Sequence, residues 1–443
     1  MGEVNKKRIC ALLAALTLFL SGCGASTADE LYALPRLSDA YLQLQNEINE
    51  LLDEGAEYSA PSSGSNRQAV QLEDIDGDGV KEALAFLSQP GASKPQKIVI
   101  FRSIGGKYTE VARIEGEGSG IDSISYLDMD GSPGREIAVG WRIASGMNIL
   151  SVYSMRGFQP AQILNTDYTR FSAVDIDDNG TTDVVVLRLS SSEENGEAAM
   201  YSLQEDGEMA SSTVLLSQGI RSLARVRSGR LMDGRPSLIV ESTIGVSGLI
   251  TDVLACWNGA FQNITLDAAT GASDTARSSQ VWCRDINGDD VLDIPKLEPM
   301  PALPEAGAYY LTIWSNYTVY GRSARVATTF TNNTDSWYLI IPELWVGKIS
   351  VRRRDEVNGE RGVVFSYIGD GVENAEDFLT VYTLSGDNKE ERASAGGRFA
   401  LNQDEDKLYA AEITEAPGAG FTVTEELIKQ NFRVLYSEWI TGD

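Results

Sequence analysis

Asp74-Ile75-Asp76-Gly77-Asp78-Gly79-Val80-Lys81-Glu82 runs directly into the apolar stretch Ala83-Leu84-Ala85-Phe86-Leu87. Three more stretches share this plan: Asp128-Met129-Asp130-Gly131-Ser132-Pro133-Gly134-Arg135-Glu136, Asp175-Ile176-Asp177-Asp178-Asn179-Gly180-Thr181-Thr182-Asp183, and Asp285-Ile286-Asn287-Gly288-Asp289-Asp290-Val291-Leu292-Asp293. They begin 54, 47 and 110 residues apart, and since the last interval is about two periods, a further copy is expected near residue 230. Arg230-Leu231-Met232-Asp233-Gly234-Arg235 occupies that place, with the turn retained and most acids gone. Around each copy lie a short alternating run, the acidic loop, an apolar run such as EIAVGW from Glu136 or DVVVLRL from Asp183, and two further runs divided by a turn, as in KIVIFRSIGGKYTEVARI from Lys97. Four strands per ~50 residues is the period of a propeller blade. The sequence therefore predicts a mainly β chain, a β-propeller built from ~50-residue four-stranded repeats over residues 67–335.

The acids fall at loop positions 1, 3, 5 and 9. A hard cation such as Ca²⁺ takes six to eight oxygens at ~2.3–2.6 Å, and alternate side chains of a tight glycine-containing turn can converge on one centre. An EF-hand would need a bidentate Glu at position 12, where these loops carry Ala85, Val139, Val186 and Lys296. The metal-free alternative is a set of Asx turns, which Asp, Asn and Gly form readily. Four carboxylates crowded between Asp74 and Glu82 repel one another without a counter-charge, which favours the metal.

These loops, each leading into an apolar strand, resemble the calcium loops of FG-GAP or VCBS repeats, the blades of integrin-alpha-type propellers. The resemblance covers the repeat region and implies side-chain ligands at positions 1, 3, 5 and 9, with a carbonyl from position 7. The implied Ca²⁺ ligands are Asp74, Asp76, Asp78 and Glu82; Asp128, Asp130 and Glu136; Asp175, Asp177, Asn179 and Asp183; and Asp285, Asn287, Asp289 and Asp293. Ser132 leaves the second loop a ligand short, and the copy at Asp233 keeps too few to bind.

At the N-terminus Lys6, Lys7 and Arg8 precede an apolar run, Ile9 to Leu20, of 12 residues. At ~1.5 Å per residue that run is too short to cross a ~30 Å hydrocarbon layer, and it has the length of a signal-peptide core. Leu20-Ser21-Gly22-Cys23 follows and resembles the bacterial lipobox, which implies cleavage after residue 22 and a lipid on Cys23. The expected location is the outer face of the bacterial cytoplasmic membrane. Cys10 leaves with the signal, so Cys256 and Cys283 remain, either as a disulfide closing a 27-residue loop or as two buried thiols.

The whole chain has 443 residues, 37 Lys plus Arg against 64 Asp plus Glu, and a formal net charge of −27, which disfavours nucleic acid as a partner. With no histidine at all, Ser-His-Asp hydrolases, Cys-His proteases and His-Glu zinc hydrolases are excluded. Carboxylate catalysis is still open, with Glu241 and Asp122 as acids outside the loops.

Residues 23–66 read as an anchor and tether followed by one amphipathic helix, with Ser38 as N-cap, an apolar stripe of Tyr41, Leu44, Ile48, Leu51 and Leu52, and Gly55 as the stop. After residue 335 the repeat signal ends. KISVRR, GVVFSYI, FLTVYTLS and KLYAAEI read as strands, and Thr422 and Glu425 have capping-box spacing ahead of a helix that leads into a last strand, FRVLY. Residues 336–443 are thus expected to form a smaller α+β module, the competing arithmetic being two more degenerate blades; its IPELWVGK strand from Ile341 and closing helix resemble modules of clostridial surface lipoproteins. The functional expectation is a non-catalytic lipid-anchored scaffold that binds a protein or a cell-wall glycan through its calcium-stabilised propeller. The alternative is a carboxylate-dependent glycan hydrolase or lyase at the propeller mouth. A binding face on the C-terminal module, carried by Trp337, Trp345 and Tyr367, is a third possibility.

Overall fold

The structure is a computed structural model that describes residues 39–143, 146–190, 195–267, 269–304, 306–369, 371–404, 406–415 and 421–435. The expected leader, Cys23, the tether and Ser38 lie outside the described residues.

Among the described residues, six antiparallel sheets of four or five strands are built along the chain. Sheet 1 contains Val70–Glu73, Glu82–Ser88, Gln96–Ile104 and Lys107–Gly116, with the short strand Glu57–Tyr58 added against Glu82–Ser88. Sheet 2 contains Gly120–Leu127, Glu136–Arg142, Asn148–Ser154 and Ala161–Tyr168; sheet 3 contains Arg170–Val174, Asp183–Arg188, Glu197–Leu203 and Met209–Leu215. Sheet 4 contains Ile220–Arg230, Pro236–Ile244, Gly248–Trp257 and Ala260–Asn263. In these four sheets each strand pairs with the next, so the chain meanders and then moves on. The tight turns are chemically suited to this: Asn258 and Gly259 both adopt positive φ between the last two strands of sheet 4.

Sheet 5 joins Ile294–Pro299, Tyr310–Tyr317, Ser323–Asn332, Trp337–Ile340 and the C-terminal strand Phe432–Val434. Sheet 6 joins Ile349–Val357, Glu360–Tyr367, Glu376–Leu384, Leu408–Ile413 and Phe399–Gln403. The division drawn at residues 335/336 therefore falls inside a sheet, since Trp337–Ile340 pairs with Ser323–Asn332 across it. The distribution of polar turns gave no sign that Trp337 would extend the preceding sheet. Glu343–Trp345 within the IPELWVGK stretch is a 3-10 turn rather than strand. The N-cap of the helix Glu425–Asn431 is Thr424, whose hydroxyl accepts from the Leu427 amide at 3.2 Å, and not Thr422.

Alternation of side chains across each strand gives every sheet two apolar faces, and the faces pack in series. Leu84, Phe86 and Ile98 of sheet 1 meet Ile121, Ile137 and Val139 of sheet 2. The reverse face of sheet 2, with Ala138, Leu150 and Val152, meets Val184 and Val186 of sheet 3. Val185 and Leu187 then meet Leu238, Val240 and Leu254 of sheet 4, and Ile239 and Val253 meet Ile294 and Tyr317 of sheet 5. Leu311, Phe330 and Leu339 continue onto Val351, Phe365 and Val381 of sheet 6.

Among the described residues no buried cluster joins sheet 6 back to sheet 1. Each end face is covered by a helix instead. The helix Asp39–Asp53 lays Leu44 and Ile48, both buried, on Ala83, Ala85, Val99 and Phe101, while Tyr41 of the expected stripe is 42% exposed. The helix Lys389–Ala393 lies over Tyr382, Leu384 and Ala410 of sheet 6, with Ala393 in contact. Leu44→Ala and Ile48→Ala are each expected to cost about 2–4 kcal/mol in urea unfolding, because each removes a buried aliphatic side chain from the helix that covers that end face.

Cys256 and Cys283 are buried free thiols, so the disulfide is not formed. The pleat of the strand Gly248–Trp257 explains why. Cys256 points with Leu254 into the core shared with sheet 3, whereas Cys283 packs with Val253 and Ala255 on the opposite face of sheet 4. The strand itself separates the two sulfurs. Trp337 and Trp345, candidates for an exposed binding face, are fully buried core residues.

Candidate metal centre

Each acidic loop connects an edge segment to a strand that begins with its ninth residue in sheets 1, 2 and 3 and one residue later, at Ile294, in sheet 5. In sheets 1, 2 and 3 the edge segments end at Glu73, Leu127 and Val174; in sheet 5 an isolated bridge, Arg284 to Asp293, has the same role. The degenerate copy also joins two strands, Ile220–Arg230 and Pro236–Ile244, as the repeat arithmetic requires.

The loops are held by one repeated set of hydrogen bonds. The ninth acid accepts from the amide of position 2 every time: Ile75 to Glu82 at 2.9 Å, Met129 to Glu136 at 3.0 Å, Ile176 to Asp183 at 3.1 Å and Ile286 to Asp293 at 2.9 Å. The first Asp accepts from the turn amides, as in Gly77 and Gly79 to Asp74 at 2.8 and 2.9 Å, or Gly288 and Asp290 to Asp285 at 2.6 and 2.9 Å. Positions 3 and 5 accept from the amide two residues on, which is the Asx-turn pattern. Such bonds fix where each carboxylate points and still leave lone pairs for a cation.

Neighbouring loops are also tied together. The Arg135 amide donates to the Ile75 carbonyl at 2.9 Å, and the Thr182 amide donates to the Asp128 carbonyl at 2.6 Å. A Cβ on Gly77 would come within 2.3 Å of the Pro133 backbone, so the first two loops touch where no side chain fits. The first three loops therefore form one continuous edge across three sheets. In the degenerate copy the surviving Asp233 accepts from the Val319 amide at 3.0 Å, so this acid now serves as a structural acceptor.

Asp74, Asp76 and Asp78 converge closely enough to share an ion, as do Asp175, Asp177 and Asp183. The acids of the second and fourth loops do not form such a group. Asp130 is engaged by Arg156 at 2.7 Å, and Asp128 lies 3.6 Å from Arg135. In the fourth loop Asn287 donates to Asp289 at 2.9 Å.

The residue across the sheet from the ninth acid differs from loop to loop. One step beyond the Ala83–Phe101 pair, Glu82 faces Arg102, whose guanidinium lies 3.0 Å from Asp76 and 2.6 Å from Asp78. In the third loop Ser202 occupies that register and donates its hydroxyl to Asp183. In the fourth it is Asn316. The first loop thus has a cation at this register, where the third and fourth have Ser202 and Asn316. Arg102 and Arg156 escape a reading of the loops alone, because only strand register and the course of the following turn bring them there.

Electrostatics follow the same division. The Val80 amide and the Arg102 guanidinium hold the Asp78 carboxyl below its ordinary value. Burial pushes Glu82 and Glu136 up. Burial also drives Asp183 to about 6, with the charges of Asp177 and Asp175 adding and the Ser202 hydroxyl opposing, and it drives Asp293 to about 6 with help from Asp289 and Asp285. Glu82 Oε1 and Asp293 Oδ1 are buried without a hydrogen-bond donor, and so is Asn316 Oδ1 beside the latter. Orphaned buried oxygens in an all-oxygen donor set fit a hard cation such as Ca²⁺.

Replacing Arg102 by Gln is expected to strengthen calcium binding at the first loop several-fold, since the guanidinium competes for the oxygens of Asp76 and Asp78. Terbium luminescence titration of the two proteins would read this directly, and unchanged binding would mean that Arg102 swings clear at no cost.

No protein-family model and no curated protein matches the chain. Among solved structures it is similar to a Bacteroides fragilis protein named as a candidate 6-phosphogluconolactonase, at 12% identity, a TM-score of 0.26, and coverage of 68% of this chain and 81% of that one.

Proposed function

We propose that the chain is a non-catalytic lipoprotein held by Cys23 on the outer face of the bacterial cytoplasmic membrane, where its stacked sheets act as the blades of a calcium-stabilised propeller-type scaffold for a protein or cell-wall glycan. The observation that carries this reading is the recurrence of one loop geometry at one register in four sheets, with orphaned carboxylate oxygens at Glu82 and Asp293. Calcium at such loops would stiffen the edge that ties sheets 1, 2 and 3 together. In this reading the two end helices take the place of ring closure, as capping units do in repeat stacks.

Glu241, an acid available for glycan chemistry by sequence, is fully buried and held by Arg277 and Arg227 at 3.3 and 3.2 Å. Asp122 accepts from the Tyr168 hydroxyl at 2.9 Å. These placements favour the scaffold over the hydrolase, because the first acid is out of reach of a substrate.

Fatty-acid labelling in a bacterial host tests the anchor. The parent is expected to carry the label and sediment with membranes, and Cys23→Ser to lose the label and appear in the medium or periplasm. Membrane retention of an unlabelled Cys23→Ser protein would contradict lipid anchoring.

A further inference from the structure

Two cavities open where sheets 5 and 6 meet, and they share Tyr309 and Arg353. The smaller, about 150 Å³, is lined by hydroxyl and amide groups that include Ser279, Thr312, Thr331 and Asn333, together with Tyr310. The larger, about 700 Å³, extends to Asp355 and Glu373 and falls in the range of ~300–1,000 Å³ usual for small-ligand sites. Two oxygens in the smaller cavity, Ser279 Oγ and Thr331 Oγ1, are shielded from solvent and have no partner in the protein.

Arg353 stands at the junction. Its guanidinium donates only to neutral oxygens, Thr334 Oγ1 at 3.3 Å and Asn332 Oδ1 at 3.2 Å, and it enters no ion pair among the described residues. The adjacent Arg352, by contrast, makes a two-pronged contact with Asp377. In a chain of net charge −27, a cation with no ion-pair partner among the described residues, at the meeting point of two cavities, is a local attraction for an anion, opposed by the Asp355 and Glu373 carboxylates of the larger cavity. Tyr309 is half-buried and set against the Phe330 ring, with centroids 6.4 Å apart, and Tyr310 is 42% exposed, so aromatic surface lies beside the cation. Flat sugar faces pack on such rings, and their hydroxyls suit the Ser, Thr and Asn oxygens on one side and the carboxylates of Asp355 and Glu373 on the other.

We infer that this cleft binds an anionic saccharide, with its carboxylate or phosphate on Arg353, one sugar ring against Tyr309 and hydroxyl or amide substituents toward Asn333. The inference rests on the scaffold reading and narrows its ligand to a charged glycan. Neither the calcium loops nor a catalytic step is part of it.

The test is isothermal titration of the full mature chain in detergent micelles with three probes: a short oligogalacturonate, a sugar-phosphate oligomer, and an uncharged oligosaccharide of equal length. At least one anionic probe is expected to bind, and the uncharged one at least about tenfold more weakly. Binding of the uronate alone assigns a carboxylated sugar, and binding of the phosphate alone assigns a phosphorylated glycan. Arg353→Gln should weaken the anionic probe about tenfold, Arg353→Lys should restore part of the loss, and Tyr309→Ala should weaken all saccharides. Arg353 is exposed, so Arg353→Gln and Arg353→Lys are expected to unfold at the parent's temperature and to report on binding alone.

Equal affinity for charged and uncharged probes, or unaltered binding by Arg353→Gln, would overturn the assignment. Absence of binding by either anionic probe at millimolar concentration would also overturn it. If calcium still raised the unfolding temperature and Cys23 still anchored the protein, that failure would belong to the cleft and not to the scaffold.

Discussion

Arg277→Ala should lower the stability of the protein by about 3–5 kcal/mol, more than any change in the acidic loops. Arg277 and Glu241 are buried, at 3% and 0% exposure, and lie 3.3 Å apart. Glu241 also takes the Cys283 amide at 2.7 Å and Arg227 at 3.2 Å, while Arg277 donates to the Val281 carbonyl at 2.6 Å and to Thr251 Oγ1 and the Thr275 carbonyl at 3.0 Å. This cluster pins residues 275–283, a stretch without regular strands, between sheets 4 and 5. Removing the guanidinium leaves the buried Glu241 charge with Arg227 as its one remaining ion-pair partner among the described residues and orphans three acceptors at once. Urea unfolding would measure the loss. Arg277→Met combined with Glu241→Gln should recover at least half of it, since the charge disappears and an acceptor for the Cys283 amide is retained. A single-variant loss below about 1 kcal/mol would mean that solvent reaches the pair.

Asp183→Ala should abolish the calcium stabilisation contributed by the third loop, about 2.7 kcal/mol when the ion is at a hundred times its dissociation constant. The parent should also show a characteristic pH dependence. Burial raises Asp183 and Asp293 from 3.8 to about 6 in the folded protein, so the folded state holds protons that the unfolded state releases. Without calcium these two groups stabilise the fold at low pH, and that contribution is lost as pH rises from 3.8 through about 6. Calcium and protons compete for the same oxygens, so calcium affinity should fall roughly tenfold per pH unit below 6. Thermal melts from pH 4.5 to 7.5 would show the chelated protein losing stability across this window and calcium restoring it above pH 6. A chelated protein that instead gained stability with pH would show that neither carboxylate is buried without a counter-charge.

The repeat was legible because its information is local. An acid at positions 1, 3, 5 and 9 and the apolar run after it fix the loop, the buried strand and their period, and the structure places Asp74–Glu82, Asp128–Glu136 and Asp175–Asp183 between paired strands as read. The copy at Asp233 was legible from spacing alone. Long-range partners were not. Arg102 enters the first loop through the third strand of its sheet, and the burial of Cys256 and Cys283 on opposite faces of one strand depends on pleat and packing rather than on the interval between them. The extent of the stack was missed for a related reason. Strands after Trp337 carry no acidic loop to mark the period, yet Phe330, Trp337 and Phe365 share one core that continues the series of sheets. The cleft at Tyr309 and Arg353 exists only because of that continuation, so no motif announces it.

Calorimetric unfolding of the protein in millimolar calcium and in excess chelator is the most direct test of the metal loops, with Asp175→Ala run alongside. The expected result is a calcium-dependent rise in the unfolding temperature of the parent that shrinks in Asp175→Ala. Identical unfolding with calcium and with chelator would mean that the four loops are metal-free Asx turns, and that the sheets are held by packing and backbone bonds alone.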